Sequence, residues 1–92
     1  MIIERTQTGV RIEKRVLKVL KGLAEYHEIS VGDLLEGVLL HVFEGKAPFG
    51  SESLKVIADL RKVYGLDLDA SHSHKLLEKA PPKKSAPKRG KP

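Results

Sequence analysis

Hydrophobic and polar residues alternate near the beginning of the chain. One face of the alternating segment is formed by Thr6, Thr8, Val10 and Ile12, and the other by Gln7, Gly9 and Arg11. A two-residue period predicts a short, half-buried β-strand over residues 6–12. A single strand leaves its backbone amides unpaired, and no second alternating segment follows. We therefore expect this strand to pair with the same strand of a second copy of the chain.

A helical period replaces the alternation after residue 13. Residues 14–27 predict a first amphipathic helix, with Val16, Leu20 and Leu23 in one stripe. Ser30 predicts the start of a second helix, because its hydroxyl can accept a hydrogen bond from a first-turn N–H group. This strongly apolar helix is expected to run to about Glu44, where Gly45 suits the left-handed closing position.

The remaining chain predicts a helical extension and a tail. A third amphipathic helix is expected to begin at Ser51 or Ser53 and to end at Gly65, and two further helical turns are expected around Leu76 and Leu77. Prolines and lysines then predict a disordered basic tail. The predicted organisation is an N-terminal arm (residues 1–5), a compact domain (6–45), a helical extension (46–79) and a tail (80–92).

Charge is segregated along the sequence. Residues 1–24 carry six basic and two acidic groups, residues 25–74 four basic and nine acidic groups, and residues 75–92 seven basic groups and one acidic group, for a net charge of +5. This segregation suits a protein that presents one surface to a polyanion. With no cysteine and no apolar run of about 18 residues, we expect a cytoplasmic, nucleoid-associated protein without a membrane segment.

The order of a seven-residue strand, a helix, a capped turn and an apolar helix resembles the ribbon-helix-helix repressors of the Arc type. The resemblance covers residues 6–45: Gln7, Gly9 and Arg11 correspond to the outward strand positions, Val16-Leu17 to the first helix and Ser30-Val31-Gly32 to the second. Gly9 departs from the family pattern, because it has no side chain to contact a base. The implied fold is mostly α, an intertwined homodimer with an intersubunit two-stranded antiparallel ribbon and a C-terminal helical extension.

The resemblance implies a sequence-specific transcriptional regulator, expected to be a repressor, that reads the DNA major groove with its ribbon. It implies base contacts from Gln7, Gly9 and Arg11, phosphate contacts from Ser30, Val31, Gly32, Lys14 and Arg15, with Lys18 as a further candidate, and a dimer core of Val10, Ile12, Leu20, Leu34, Val38, Leu39 and Val42. The partners would be double-stranded DNA and a second copy, with paired dimers on DNA as an extension.

Two other interpretations stay open. In the first, the chain is an interaction module, like antitoxins that resemble this family, and residues 51–77 dock a partner protein through Leu54, Ile57 and Leu60. In the second, it is a nucleoid protein that uses its dimer and basic tail without sequence preference. No catalytic or cofactor-binding constellation is apparent, so we expect neither an enzyme nor a cofactor. His72 and His74 are better explained by a polar turn than by a metal site.

Overall fold

The computed structural model describes residues 1–78, which form three α-helices. They are α1 (Lys14–His27), α2 (Val31–Phe43) and α3 (Ser51–Tyr64), and a short 3-10 turn, Ala70–His72, follows. These bounds confirm the three helices predicted from periodicity. The helical turns predicted around Leu76 and Leu77 are wrong, since residues 73–78 form no helix. The predicted basic tail, residues 80–92, lies outside the described part of the chain.

The predicted β-strand is also wrong. Residues 1–78 contain no β-strand, and the segment 6–12 has no regular secondary structure. The predicted β-ribbon is therefore not present, and the fold class is mostly α without it. All residues from 1 to 12 are exposed, and Val10 retains 72% of its accessible surface. A strand needs a neighbour to complete its hydrogen-bond ladder, and the described residues offer none.

Local capping explains where the helices begin and end. The carboxylate of Glu13 accepts hydrogen bonds from the backbone N–H groups of Arg15 and Val16, at 2.8 and 3.0 Å, and so caps α1. The hydroxyl of Ser30 accepts from the N–H of Asp33 at 3.0 Å, which confirms the predicted cap of α2. Gly65 ends α3 with a φ of +65°, a conformation that glycine adopts without steric cost.

The core lies where α1 meets the other two helices. Leu23, Ala24 and Leu34 are buried, with exposed fractions of 2, 3 and 6%. Partly buried hydrophobic residues surround them: Leu20, Val31, Val38, Phe49, Val56, Ile57 and Leu60. Helix α1 runs antiparallel to α3, because residues near its beginning contact the end of α3 and residues near its end contact the beginning of α3.

The side chain of Leu60 in α3 packs against α1 at Gly22. A Cβ atom added there would lie 2.9 Å from Cδ2 of Leu60, so the end of the Leu60 side chain would have to move. Glycine at this position therefore leaves room for the side chain of Leu60. None of the helices formed by residues 1–78 is both long and apolar enough to cross a membrane.

Candidate functional site

The seven residues predicted to form a dimer core fall into two groups. Leu34 is buried within the single chain, and Leu20 and Val38 are partly buried against the same core. In contrast, the other four are exposed: Val10, Ile12, Leu39 and Val42. The predicted dimer core therefore combines residues that pack within the single chain with residues that the single chain leaves exposed.

The exposed apolar residues of α2 lie together near its end. Leu39, Leu40, Val42 and Phe43 occupy one side of its last turns, and we name this group the α2 apolar surface. Leu40 is 66% and Phe43 75% exposed. Single exposed apolar side chains are ordinary, but a contiguous group of large ones is typical of an interface.

A second surface is formed by three lysines of α1. Lys14, Lys18 and Lys21 have the spacing i, i+4 and i+7, which places them within about 60° of one another around the helix. All three are exposed, and no acidic side chain of residues 1–78 forms a salt bridge with any of them. We name this group the lysine stripe. Glu25, one turn further, ends it with the opposite charge.

Lys18 is also positioned by an aromatic ring. Its Nζ atom lies 5.7 Å from the centroid of Tyr64, at the end of α3. At this distance the ring face attracts the ammonium group, with an energy of about 0.5–1 kcal/mol at an exposed site. Lys18 therefore belongs to the part of α1 that α3 supports.

The arginines expected to contact DNA are already paired with carboxylates. Arg11 forms an ion pair with Glu78. Arg15 donates to Glu13 at 3.0 Å, to Asp67 at 2.9 Å and to the backbone oxygen of Gly65 at 3.0 Å. The hydrogen bond that Arg15 donates to Glu13, together with the charges of Glu13 and Asp67, raises the pKa of Arg15. A phosphate at either arginine would have to replace a carboxylate.

The other residues predicted to contact bases are accessible. Gln7 and Gly9 lie in the exposed N-terminal segment, and no atom lies within 4 Å of a Cβ added at Gly9. This segment is tied to α2 by Arg5, whose Nε and Nη2 atoms each donate to the carboxylate of Glu36 at 2.9 Å. The pKa of Glu36 is lowered by this hydrogen bonding and by the charge of Arg5. Base contact by Gln7 and Gly9 stays a prediction.

The predicted phosphate site at the beginning of α2 is less favourable than the sequence suggested. The Ser30 hydroxyl already accepts the N–H of Asp33, and Val31 packs towards the core. Gly32 is exposed, but the carboxylate of Asp33 adds negative charge to the same first turn. A helix N-terminus attracts anions through its N–H groups and dipole, and Asp33 partly offsets this attraction.

The histidines have local structural partners. His72 accepts a hydrogen bond at Nδ1 from the backbone N–H of Asp69 at 3.0 Å, and so helps to close the 3-10 turn. His27 Nε2 lies 3.1 Å from the hydroxyl of Ser53, which links the end of α1 to the beginning of α3. Beside it, Tyr26 donates to Glu52, and this hydrogen bond raises the pKa of Tyr26. Within residues 1–78, no group of three side chains is arranged to hold a metal ion.

Sequence reasoning missed several residues of these surfaces. Lys21 has a detectable signal, since it completes the spacing of Lys14 and Lys18. Glu36, Asp67 and Glu78 do not, because their partners are separated from them by 31 residues or more. Comparison with family models, curated proteins and solved structures finds no match for this chain. The resemblance to ribbon-helix-helix repressors is therefore untested by homology.

Proposed function

We propose that this protein binds double-stranded DNA through the lysine stripe and the adjoining N-terminal segment, as a homodimer joined at the α2 apolar surface. The observation that carries the proposal is the lysine stripe: three exposed ammonium groups in register on one face of α1, without acidic partners among residues 1–78. The β-ribbon has no part in it, since no strand is formed by these residues.

The dimensions of the stripe suit a nucleic-acid backbone. Seven residues of helix span about 10 Å, and each DNA strand carries a phosphate roughly every 3.4 Å along the axis. The stripe can therefore follow about three phosphates of one strand. Lysine contacts to phosphate position a protein without reading sequence. Any sequence preference would come from the exposed segment, in which the amide of Gln7 suits adenine and the guanidinium of Arg11 suits guanine.

The α2 apolar surface favours a second copy as its partner. Helix α2 carries only two acidic residues, Asp33 and Glu36, and Glu36 is neutralised by Arg5, so little charge opposes contact between two such helices. Covering Leu40 and Phe43 contributes about 1.5–3 kcal/mol for each side chain that becomes fully buried. A dimer would also present two lysine stripes, which multiplies phosphate contacts and raises affinity steeply.

The test compares two triple variants of equal charge. Lys14→Gln/Lys18→Gln/Lys21→Gln removes the stripe, whereas Lys46→Gln/Lys55→Gln/Lys62→Gln removes three exposed lysines elsewhere. Fluorescence anisotropy with a random-sequence duplex is measured over a range of salt concentrations. The stripe variant should bind more weakly. The slope of log K against log salt should become less negative by roughly 2–3, because each phosphate contact contributes about −0.9 to it.

Two results would contradict the proposal. If the parent chain does not bind duplex DNA at low salt, the function is wrong. If the two triple variants lose the same affinity, binding follows overall charge, as in the interpretation of the chain as a nucleoid protein without a reading surface. Deleting residues 81–92 separates the basic tail from the stripe, since only the nonspecific interpretation expects that deletion to remove most of the affinity.

A second candidate is an interaction module, and the α2 apolar surface is the observation that favours it. The docking residues expected on α3 do not form a free surface: Ile57 and Leu60 pack against the core, and only Leu54 is exposed. A different protein partner would therefore have to cover α2. Sedimentation equilibrium of the purified chain distinguishes the two candidates by mass. A dimer supports the DNA-binding homodimer, and a monomer at every concentration supports the interaction module.

A further inference from the structure

The segment after α3, residues 65–78, is held against the beginning of α1. The N–H of Leu66 donates to the backbone oxygen of Arg61 at 2.9 Å, and the side chain of Leu66 is 9% exposed. Gly65 turns the chain at this point, with its φ of +65°. One buried side chain and one turn thus fix where the segment begins, next to Arg15.

The segment carries opposite charge to the surface that it meets. It contains Asp67, Asp69 and Glu78 against Lys75, a net charge of −2, whereas residues 1–24 have a net charge of +4. Asp67 Oδ1 lies 2.9 Å from Nη1 of Arg15, and Glu78 forms an ion pair with Arg11. Two of its three acidic side chains therefore contact arginines that precede or begin α1.

We propose that segment 65–78 is an intramolecular competitor of polyanions, in which the carboxylates of Asp67 and Glu78 occupy the guanidinium groups that a phosphate would otherwise bind. The inference rests on the proposed DNA-binding function. It explains why Arg11 and Arg15 are paired in the single chain while the neighbouring lysine stripe is not.

The strength of these contacts suits displacement. The side chain of Asp67 is 81% exposed, and those of Arg11 and Glu78 are 69% and 60% exposed. Solvent-exposed ion pairs contribute little and weaken with salt. A DNA duplex, whose charges are dense and whose binding releases counterions, can replace them. The segment would then lower affinity for any polyanion without preventing binding.

The test uses the full chain and two double variants of equal charge. Asp67→Asn/Glu78→Gln removes the two carboxylates of segment 65–78 that contact arginines, keeps Leu66 and leaves Glu13 beside Arg15. Asp59→Asn/Glu44→Gln removes two exposed carboxylates that contact neither arginine. Circular dichroism confirms that both are folded. Affinity for a random-sequence duplex is measured by anisotropy against salt, and the salt concentration of elution is measured on a heparin column.

We expect Asp67→Asn/Glu78→Gln to bind the duplex about tenfold more tightly than Asp59→Asn/Glu44→Gln at low salt. Its slope of log K against log salt should be more negative by about 1.8, because two further phosphate contacts are made. It should also elute from heparin at higher salt. Equal elution and equal affinity for the two variants would overturn the inference. If no variant binds the duplex but the elution difference persists, the DNA-binding proposal fails while the competition stands.

Discussion

Helices α1 and α2 have nearly the same length, 14 and 13 residues, but they are buried very differently. Helix α1 buries Val19, Leu23 and Ala24, whereas α2 buries only Leu34 although its sequence is the more apolar. The reason is position, since α1 contacts both of the other helices. The apolar content of a helix predicts that it will be covered, and the arrangement of its neighbours decides by what.

This comparison divides the apolar residues into two classes with different expected roles. Those around Leu23 hold the single chain together. Those of the α2 apolar surface contribute little to it, because they remain in contact with water. Variants around Leu23 should therefore change the stability of the single chain, and variants in the α2 apolar surface should change its association.

The largest effect is expected at Leu23. Leu23→Ala should lower the free energy of unfolding by about 2–5 kcal/mol, because it leaves a cavity in the core. Leu40→Ser/Phe43→Ser should change the unfolding of a dilute chain by less than about 0.5 kcal/mol, as surface substitutions do. Urea denaturation at low and high protein concentration measures both. The double variant should abolish any dependence of the midpoint on concentration that the parent shows.

Leu40→Ser/Phe43→Ser should not destabilise the dilute chain as strongly as Leu23→Ala does, and an equal loss would contradict the division of the apolar residues into two classes. Such a result would mean that the α2 apolar surface is needed for the fold of one chain. It would also show that the single chain is not the stable unit at that concentration, because obligate dimers have no stable folded monomer.

A smaller difference is expected between two glycines inside helices. Gly22→Val should destabilise the chain by about 1–3 kcal/mol, because its side chain overlaps that of Leu60, which must leave its packed position. Gly37→Ala should stabilise it by about 0.5–1 kcal/mol, since no atom lies within 4 Å of the added Cβ and alanine favours helix. Thermal unfolding of the two variants gives the sign of each change directly. Stabilisation by Gly22→Val would contradict the close packing of α1 on α3.

The smallest effect concerns the link between the N-terminal segment and α2. Arg5 lowers the pKa of Glu36, so the pair stabilises the fold fully above the ordinary carboxyl pKa of about 4.3 and loses this contribution as pH falls through the lower folded value. Glu36→Gln should thus lower the melting temperature slightly at neutral pH and not at acidic pH. In an Arg5→Gln background the same substitution should have no pH-dependent effect, and a persistent one would rule out the pair.

Sequence reasoning located the helices and one of their two side-chain caps. The caps at Ser30 and Gly65 are formed by residues next to the helices that they end, so their signals are local. The cap at Glu13 is equally local but uses a glutamate, which is not among the preferred capping residues. The candidate site was only partly predictable. The spacing of the lysine stripe is present in the sequence, whereas Glu78 and Asp67, which pair with Arg11 and Arg15, come from the far end of the described chain.

The sequence by itself determined the positions of α1, α2 and α3, because helix formation depends on hydrogen bonds and side-chain spacing within a few residues. The tertiary structure decided which apolar residues α1 covers, that the side chain of Leu60 packs against Gly22, and which arginines pair with carboxylates. It also decided that residues 6–12 form no strand in the single chain. A strand is completed by atoms distant in sequence, and an alternating pattern carries no information on whether those atoms are there.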